Sequence, residues 1–592
     1  MNDLAPAAQG GREGEHPPTR ISDQAKAHVP VPLSMGLLLL LAAAPVQTSG
    51  GVVTSAHPEA SAAGARILEE GGNALDALIA TAYALSVVEP FSAGIGGGGF
   101  LIYRDSATGN VSALDYREVA PAKAKRDMYL EDGKVVPGRS TDGALSVAVP
   151  GMVAGFAEAQ TKLGKKQLKD VLKPAIELAA NGFRVYPDFY EASEARLELL
   201  RSFPASAAAF LKNGESYAVG ELLVQPELAR TLRSLSRGGA EIFKKGWVAI
   251  AIAKEMQRLG GALGLEDLRA YSPRWREPLV GRYRGRELYF MPPPSSGGVA
   301  ILQVLGMLEH DRKLRGRTDR PDDPDDLHVL LEAMRRAYAD RATFLGDPAT
   351  MRLPIEKITS ADYLLERYKT IDLKRATPSS EVHAGNAPLP EPMHTTNITV
   401  IDAAGNVAVA TQTVNLVFGS GIVVPGTGVL LNDEMDDFAA APGVPNAFGL
   451  VGGDANSIAP GKVPLSSMTP TIVVEDGRVR LAVGAPGGST IITTVLMTIV
   501  RTIDQGMGVQ EALGRGRFRN QWLPDRLLME RDALPPHLVE ELTRRGHVPS
   551  VVDYWGNGNA IEVLPDGTRV AVADWRGNGA AVAAREKAQK VK

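Results

Sequence analysis

The sequence predicts an α+β protein in which β-sheets pack as a sandwich covered by helices. Three observations carry this reading. Stretches with helical spacing of apolar residues and stretches that alternate like strands occur in both halves of the chain. After residue 395 alternating runs are joined at Asp-Gly pairs, the signature of hairpins. The 592 residues, 44% of them hydrophobic, can bury a large core, enough for two to four domains or one large layered unit.

Taken in order, Gly36 to Val46 (GLLLLLAAAPV) is apolar but far short of the ~20 residues a membrane helix needs. It reads as a signal-peptide core, with Ala42 and Ala44 as small residues for cleavage. Residues 1–44 are then a leader, and the mature protein is exported, periplasmic or extracellular, without a stable membrane span. The stretch before it is long and polar, with Lys26 as its last clear positive charge, and a start at Met35 would lack a charged n-region. A disordered tail with a sticky patch is the competing reading.

From Ala60 two helices are expected, broken at Gly71-Gly72-Asn73, residues that suit a helix C-terminus. The run Gly94 to Gly99 then enters a strand, Phe100 to Tyr103. It contains GxGxxG, but a dinucleotide fingerprint follows a strand and opens a helix, and here the order is reversed. Nucleotide binding is therefore rejected. Gly151 to Leu163, Gln167 to Ala180 and Leu327 to Phe344 have helical spacing, and Arg315 to Asp326 is a charged, solvated connection. Ala376 to Met393 has no hydrophobic period and three prolines in its last seven residues, so an exposed loop is expected. Thr396 to Ile401 and Val407 to Ala410 make a hairpin around Asp402 to Asn406. Two more hairpins are expected, Thr471 to Val483 around Glu475-Asp476-Gly477 and Ile561 to Val572 around Asp566-Gly567, with a helix from Thr490 to Asp504 between them.

A net charge of -4 and a pI near 6.2, with scattered Lys and Arg, give no footprint for nucleic acid. The absence of cysteine excludes disulfides, thiolate catalysis and cysteine metal ligands. The nine histidines form no HExxH pair and no obvious cluster with carboxylates, so neither a metal nor another cofactor is expected.

The most informative step is His394-Thr395-Thr396, at the seam between the proline-rich loop and the hairpin. A cut before Thr395 would leave a threonine with a free α-amine at the start of a strand. An N-terminal amine, with an ordinary pKa of roughly 7.7–8.0, can take the proton from the hydroxyl of its own residue and activate it as a nucleophile. Thr-Thr is also ordinary strand composition, and alone the pair proves nothing.

These residues sit among others that together resemble one family. EPFSAGIGGGGF at Glu89 to Phe100, DYREVAPAKAKRDMY at Asp115 to Tyr129, the His-Thr-Thr junction, TQTVNLVFGSGIV from Thr411, LLNDEMDDF from Leu430, GLVGGDAN from Gly449, PLSSMTPT from Pro464 and GAPGGS from Gly484 follow in order. In this the chain resembles the γ-glutamyltranspeptidases. The resemblance implies a four-layer αββα sandwich of the N-terminal nucleophile hydrolase type, made as a precursor and self-cleaved into two subunits that stay together as a heterodimer. Here these would be a large subunit, 45–394, and a small subunit, 395–592.

By motif position the resemblance implies Thr395 as nucleophile, Thr413 as the hydroxyl that positions it and assists self-cleavage, and the backbone N–H groups of Gly487 and Gly488 as oxyanion hole. Arg117, Ser466 and Ser467 would take the α-carboxylate of a γ-glutamyl donor; Asn415, Glu434 and Asp437 would take its ammonium. The expected partners are glutathione and other γ-glutamyl compounds, with water, amino acids or peptides as acceptors. Each residue has an ordinary alternative: Asp436-Asp437 a solvated acidic turn, Ser466-Ser467 a turn cap, Gly487-Gly488 a plain turn. The chain departs from many bacterial members at Phe448, where a lid tyrosine is usual in the loop Pro442 to Gly453, at Glu434 for glutamine, and at Asn397 for histidine. Two rival functions remain: a glutaryl or β-lactam side-chain acylase of the same superfamily, and a catalytically silent envelope binding protein.

Overall fold

The computed structural model describes residues 44–316, 320, 322–382, 395–441, 444, 446, 447, 450 and 453–585. Most of the leader segment, with Ala42, lies outside the described residues, as do His394 and Phe448. Two seven-stranded sheets form the centre. Their strands are β1 (Val46–Thr48), β2 (Val52–Ser55), β3 (Gly98–Arg104), β4 (Val111–Asp115), β5 (Arg274–Arg276), β6 (Leu279–Tyr283), β7 (Arg286–Phe290), β8 (Thr396–Ile401), β9 (Val407–Thr413), β10 (Thr471–Glu475), β11 (Arg478–Gly484), β12 (Asn559–Val563), β13 (Arg569–Ala573) and β14 (Ala580–Ala583). The first sheet runs β5-β4-β3-β9-β8-β2-β14 and the second β1-β13-β12-β11-β10-β7-β6, every neighbour antiparallel.

Period-two alternation assigns the layers. On β3 and β9, Phe100, Ile102, Val407 and Val409 point into the core shared with the second sheet, where Ile472, Leu481, Val483 and Ile561 meet them. Leu101, Tyr103, Ala408 and Ala410 point the other way, with Ile398 and Val400 of β8, onto the helices α1 (Pro58–Glu69) and α2 (Ala74–Val88). The second sheet is covered on its far side by α3 (Gly297–Arg315), α4 (Pro324–Phe344) and α5 (Thr490–Ile503). The result is the αββα sandwich.

Several boundaries moved for identifiable reasons. Asn73 does not end α1; it opens α2, its side chain accepting from the Asp76 N–H at 3.0 Å while Asp76 accepts from the Asn73 N–H at 2.8 Å, a capping box. Strand β3 starts at Gly98, two residues early, because the glycine run already pairs with β9. The helix expected over Gln167 to Ala180 is split into Leu168–Val171 and Lys173–Asn181, since Pro174 has no N–H for the continuing ladder. Arg315 and Asp326 are less solvated than expected: Arg315 ends α3 and pairs with Asp311 and Asp326, and Asp323 caps α4.

The described part of the expected exposed loop is a loop but is not all exposed: Ala376, Ser379 and Val382 are buried. The indole N–H of Trp522, itself buried, donates to the Ser379 and Val382 carbonyls at 3.1 and 2.9 Å, and Arg335 donates to the Ser379 hydroxyl at 2.6 Å. Buried donors from both sides of the segment, Arg335 upstream and Trp522 downstream, thus draw it inward. The hairpins fall where expected. At β10–β11, Asp476 and Gly477 have φ of 49° and 75°, the doubly positive pattern of a two-residue turn.

Candidate active site

Thr395 directly precedes β8, and the pairing of Thr396 with Gln412 sets it opposite Thr413, the last residue of β9. Both threonines are buried. The chain turns sharply after Thr413: Asn415 adopts φ of +80°, its N–H donates to the Thr413 hydroxyl oxygen at 2.7 Å, and its side-chain amide donates to the Asp433 carbonyl at 3.1 Å. On the other side of β9, a Cβ at Gly97 would stand 2.0 Å from the Thr413 carbonyl oxygen. Backbone approach of that kind requires glycine, which explains one position of the glycine run.

Nine of the ten residues nominated from the sequence line a single small cavity: Thr395, Thr413 and Asn415 at the β8–β9 end, the group Arg117, Glu434 and Asp437, and Ser466, Ser467 and Gly488. The tenth, Gly487, immediately precedes Gly488 in the turn that opens α5. These glycines have φ of +120° and +52°, and the Gly487 carbonyl accepts from the Thr490 N–H and hydroxyl at 2.9 and 2.7 Å. The turn so held sits at a helix N-terminus, where partial positive charge collects.

Arg117 follows β4 and is fully buried. It pairs with Glu434 and Asp437 and lies 3.6 Å from Glu118, rather than on the serines. The Tyr271 hydroxyl holds its carbonyl at 2.8 Å. Residues Glu434–Asp437 form a buried 3₁₀ turn, which overrides the ordinary reading of a solvated acidic turn. Burial pushes the Glu434 carboxyl up to about 8 against the pull of Arg117, and raises Asp437 as well. Glu118 stands well above the usual carboxylate range, from burial and the neighbouring Glu434. Burial works against the Arg117 charge, but the three acids hold its pKa above the ordinary value. Three acids surround one cation here and burial holds their pKa values up, so a positively charged group entering beside them would be met by carboxyls that can still give up a proton.

One residue near Thr395 was missed. The Thr396 hydroxyl donates to Glu89 Oε2 at 2.7 Å, and Glu89, at the end of α2, is buried. Burial raises its pKa to about 8, with the Thr396 bond opposing. The sequence signal was an acid ending an otherwise apolar helix. Asn397, by contrast, is absent from the cavity wall. It lies in the seam between the sheets, donating to the Ala410 carbonyl at 2.8 Å, and its own carbonyl accepts from Asn559 at 3.1 Å. Among the described residues no helix is long and apolar enough to cross a membrane.

Two stacked antiparallel sheets between helical layers, with a threonine heading an inner strand beside a polar cavity, define an N-terminal nucleophile hydrolase. The Gamma-glutamyltranspeptidase family profile matches residues 60–584, and the chain belongs to that family of enzymes. It is 44% identical over 535 residues to the glutathione hydrolase proenzyme of Escherichia coli K12, covering 90% of this chain and 91% of the relative. It is 38% identical over 551 residues to the Acylase ACY 1 proenzyme of Pseudomonas sp. V22, covering 91% and 94%. Among solved structures, the cephalosporin acylase from Bacillus halodurans superposes with a TM-score of 0.79 at 28% identity, over 92% of this chain and 97% of that one. The Helicobacter pylori γ-glutamyltranspeptidase chain gives 0.53 at 40% identity, over 56% and 94%.

Proposed function

We propose that this chain is a γ-glutamyltranspeptidase and glutathione hydrolase that cuts itself before Thr395 and then uses Thr395 as its nucleophile. The observation that carries the reading is the convergence of Thr395 and Thr413 with an acid-rich wall and a serine pair on one small cavity. The Thr395 hydroxyl oxygen attacks the γ-carbonyl carbon while the α-amine takes the hydroxyl proton. Gly487 and Gly488 offer N–H groups to the developing oxyanion, a contribution typically worth ~10²–10³ in rate. The tetrahedral intermediate expels the amine product, which receives the proton, and leaves a γ-glutamyl ester on Thr395. Water, or an amino acid or peptide amine, then adds to the ester and regenerates the threonine. Asn415, Glu434 and Asp437 hold the donor's ammonium; Arg117, Ser466 and Ser467 serve its carboxylate.

The large subunit would be 45–394 and the small one 395–592, and both belong to one compact unit spanning Ala43–Lys592. Export is supported by the apolar segment Gly36 to Val46. Thr395→Ala should leave one uncut chain, inactive on γ-glutamyl-p-nitroanilide, and wild-type small subunit should begin at Thr395 on N-terminal sequencing. An uncut yet fully active Thr395→Ala protein refutes the assignment.

The acylase reading has similarity behind it, since the chain resembles Acylase ACY 1 and a cephalosporin acylase. A glutaryl group has no ammonium, however, and the surplus of buried acids would then have nothing to balance. Faster turnover of a glutaryl anilide than of its γ-glutamyl counterpart would reverse the preference.

A further inference from the structure

Behind the serine pair lies a second buried arginine that the mechanism above leaves unused. Arg341, near the end of α4, is 5% exposed. Its Nε donates to the Ser296 hydroxyl oxygen at 2.8 Å, and its Nη2 reaches the Ser467 hydroxyl oxygen at 3.4 Å, a long hydrogen bond. Ser296 in turn donates its hydroxyl to the Ser466 carbonyl at 2.7 Å, and its N–H binds the same oxygen at 2.7 Å. No carboxylate among the described residues lies within ion-pair distance of Arg341, whereas Arg117 is taken by Glu434 and Asp437.

A guanidinium only donates, so Ser467 receives with a lone pair and keeps its hydroxyl hydrogen to give elsewhere. Ser466 is in the same condition, because its oxygen accepts from the Met468 N–H at 3.1 Å. Both serines line the cavity. Two hydroxyl hydrogens backed by a cation that no carboxylate contacts directly, although Asp437 lies near enough to feel its charge, favour an anion. We infer that Arg341 is the positioning residue for the carboxylate end of the donor, polarising Ser467 and fixing the Ser466 backbone through Ser296. Burial lowers the Arg341 pKa only to about 10, so the charge persists at neutral pH. The inference rests on the γ-glutamyl reading of the cavity.

The test is steady-state kinetics of the processed enzyme with γ-glutamyl-p-nitroanilide and with 4-aminobutyryl-p-nitroanilide, which keeps the ammonium and lacks the carboxylate. Arg341→Gln should raise KM for the γ-glutamyl donor by about tenfold or more, the scale of one charge-assisted hydrogen bond, with kcat nearly unchanged. It should leave kcat/KM for the aminobutyryl anilide within about threefold, and Arg341→Lys should recover most of the loss. An equal fall on both anilides, or an unchanged γ-glutamyl KM, overturns the role. If Arg341→Gln yields no processed protein, Arg341→Lys is combined with Ser467→Ala. The Lys effect should shrink in that background to the part carried through Ser296, and an undiminished effect counts against the inference. Wild-type enzyme that handles the two anilides alike would instead sink the γ-glutamyl reading itself, before any variant is considered.

Discussion

Replacing Glu89 with glutamine isolates the buried acid that holds the Thr396 hydroxyl, next to the proposed nucleophile. The new amide keeps an acceptor for the Thr396 hydroxyl and removes the ionisation. The folded-state pKa of Glu89 is raised from the ordinary 4.5 to about 8, so the sign is fixed. The contribution to stability is full below the ordinary value, declines as pH rises, and is gone once pH passes through about 8. At 1.36 kcal/mol per tenfold, the gap is worth roughly 5 kcal/mol as an upper bound. For the roughly 550-residue unit, an unfolding entropy of about 2.1 cal/mol/K per residue converts this to about 4 °C in Tm. Scanning calorimetry at one scan rate, from pH 4.5 to 9, would follow the parent chain and Glu89→Gln, both carrying Thr395→Ala so that the chain stays in one piece. The parent should lose up to about 4 °C relative to the Glu89→Gln variant across that range. Two parallel curves would refute the reasoning, because they would mean that Glu89 is ionised in the fold at no cost.

Glu434→Gln should simplify the pH dependence of activity. On the proposed mechanism kcat/KM requires both a free Thr395 amine and an ionised Glu434, whose pKa is raised to about 8, so the acid limb should approach a log slope of about two. In the variant it should drop to about one, and an unaltered slope would remove Glu434 from ammonium binding. Gly97→Ala puts a methyl 2.0 Å from the Thr413 carbonyl oxygen, an overlap with backbone that cannot relax. Self-cleavage and folding yield should both collapse, and a processed, active Gly97→Ala enzyme would show that β3 can move off β9.

How far the sequence reached depends on how local each signal was. The β10–β11 hairpin was legible because Asp476 and Gly477 carry their own turn chemistry, and Thr395 because a proline-rich run meets an alternating one at that point. Asn73 was assigned to the wrong helix since glycine and asparagine suit a C-terminus and a cap alike; only its reciprocal bonds with Asp76 decide. Glu89 lies 307 residues from Thr396 and Arg341 lies 126 from Ser467. No local pattern joins such pairs, because packing of the two sheets and α4 is what brings them together. Arg117 was nominated for the donor's carboxylate only through its family motif, and its burial and engagement by Glu434 and Asp437 required the fold.

The strand order bears on the life of the protein. In the first sheet β9 and β8 sit between β3 and β2, and β14 lies outside β2; in the second, β13 to β10 sit between β1 and β7. Segments from either side of the proposed scission are thus shuffled like cards, and neither piece owns an intact sheet. The uncut chain carries both sets of strands on one tether, which processing would remove. In a nicked molecule the two pieces would have to find each other again before either sheet could close, which makes the rate of opening a natural measure of its durability.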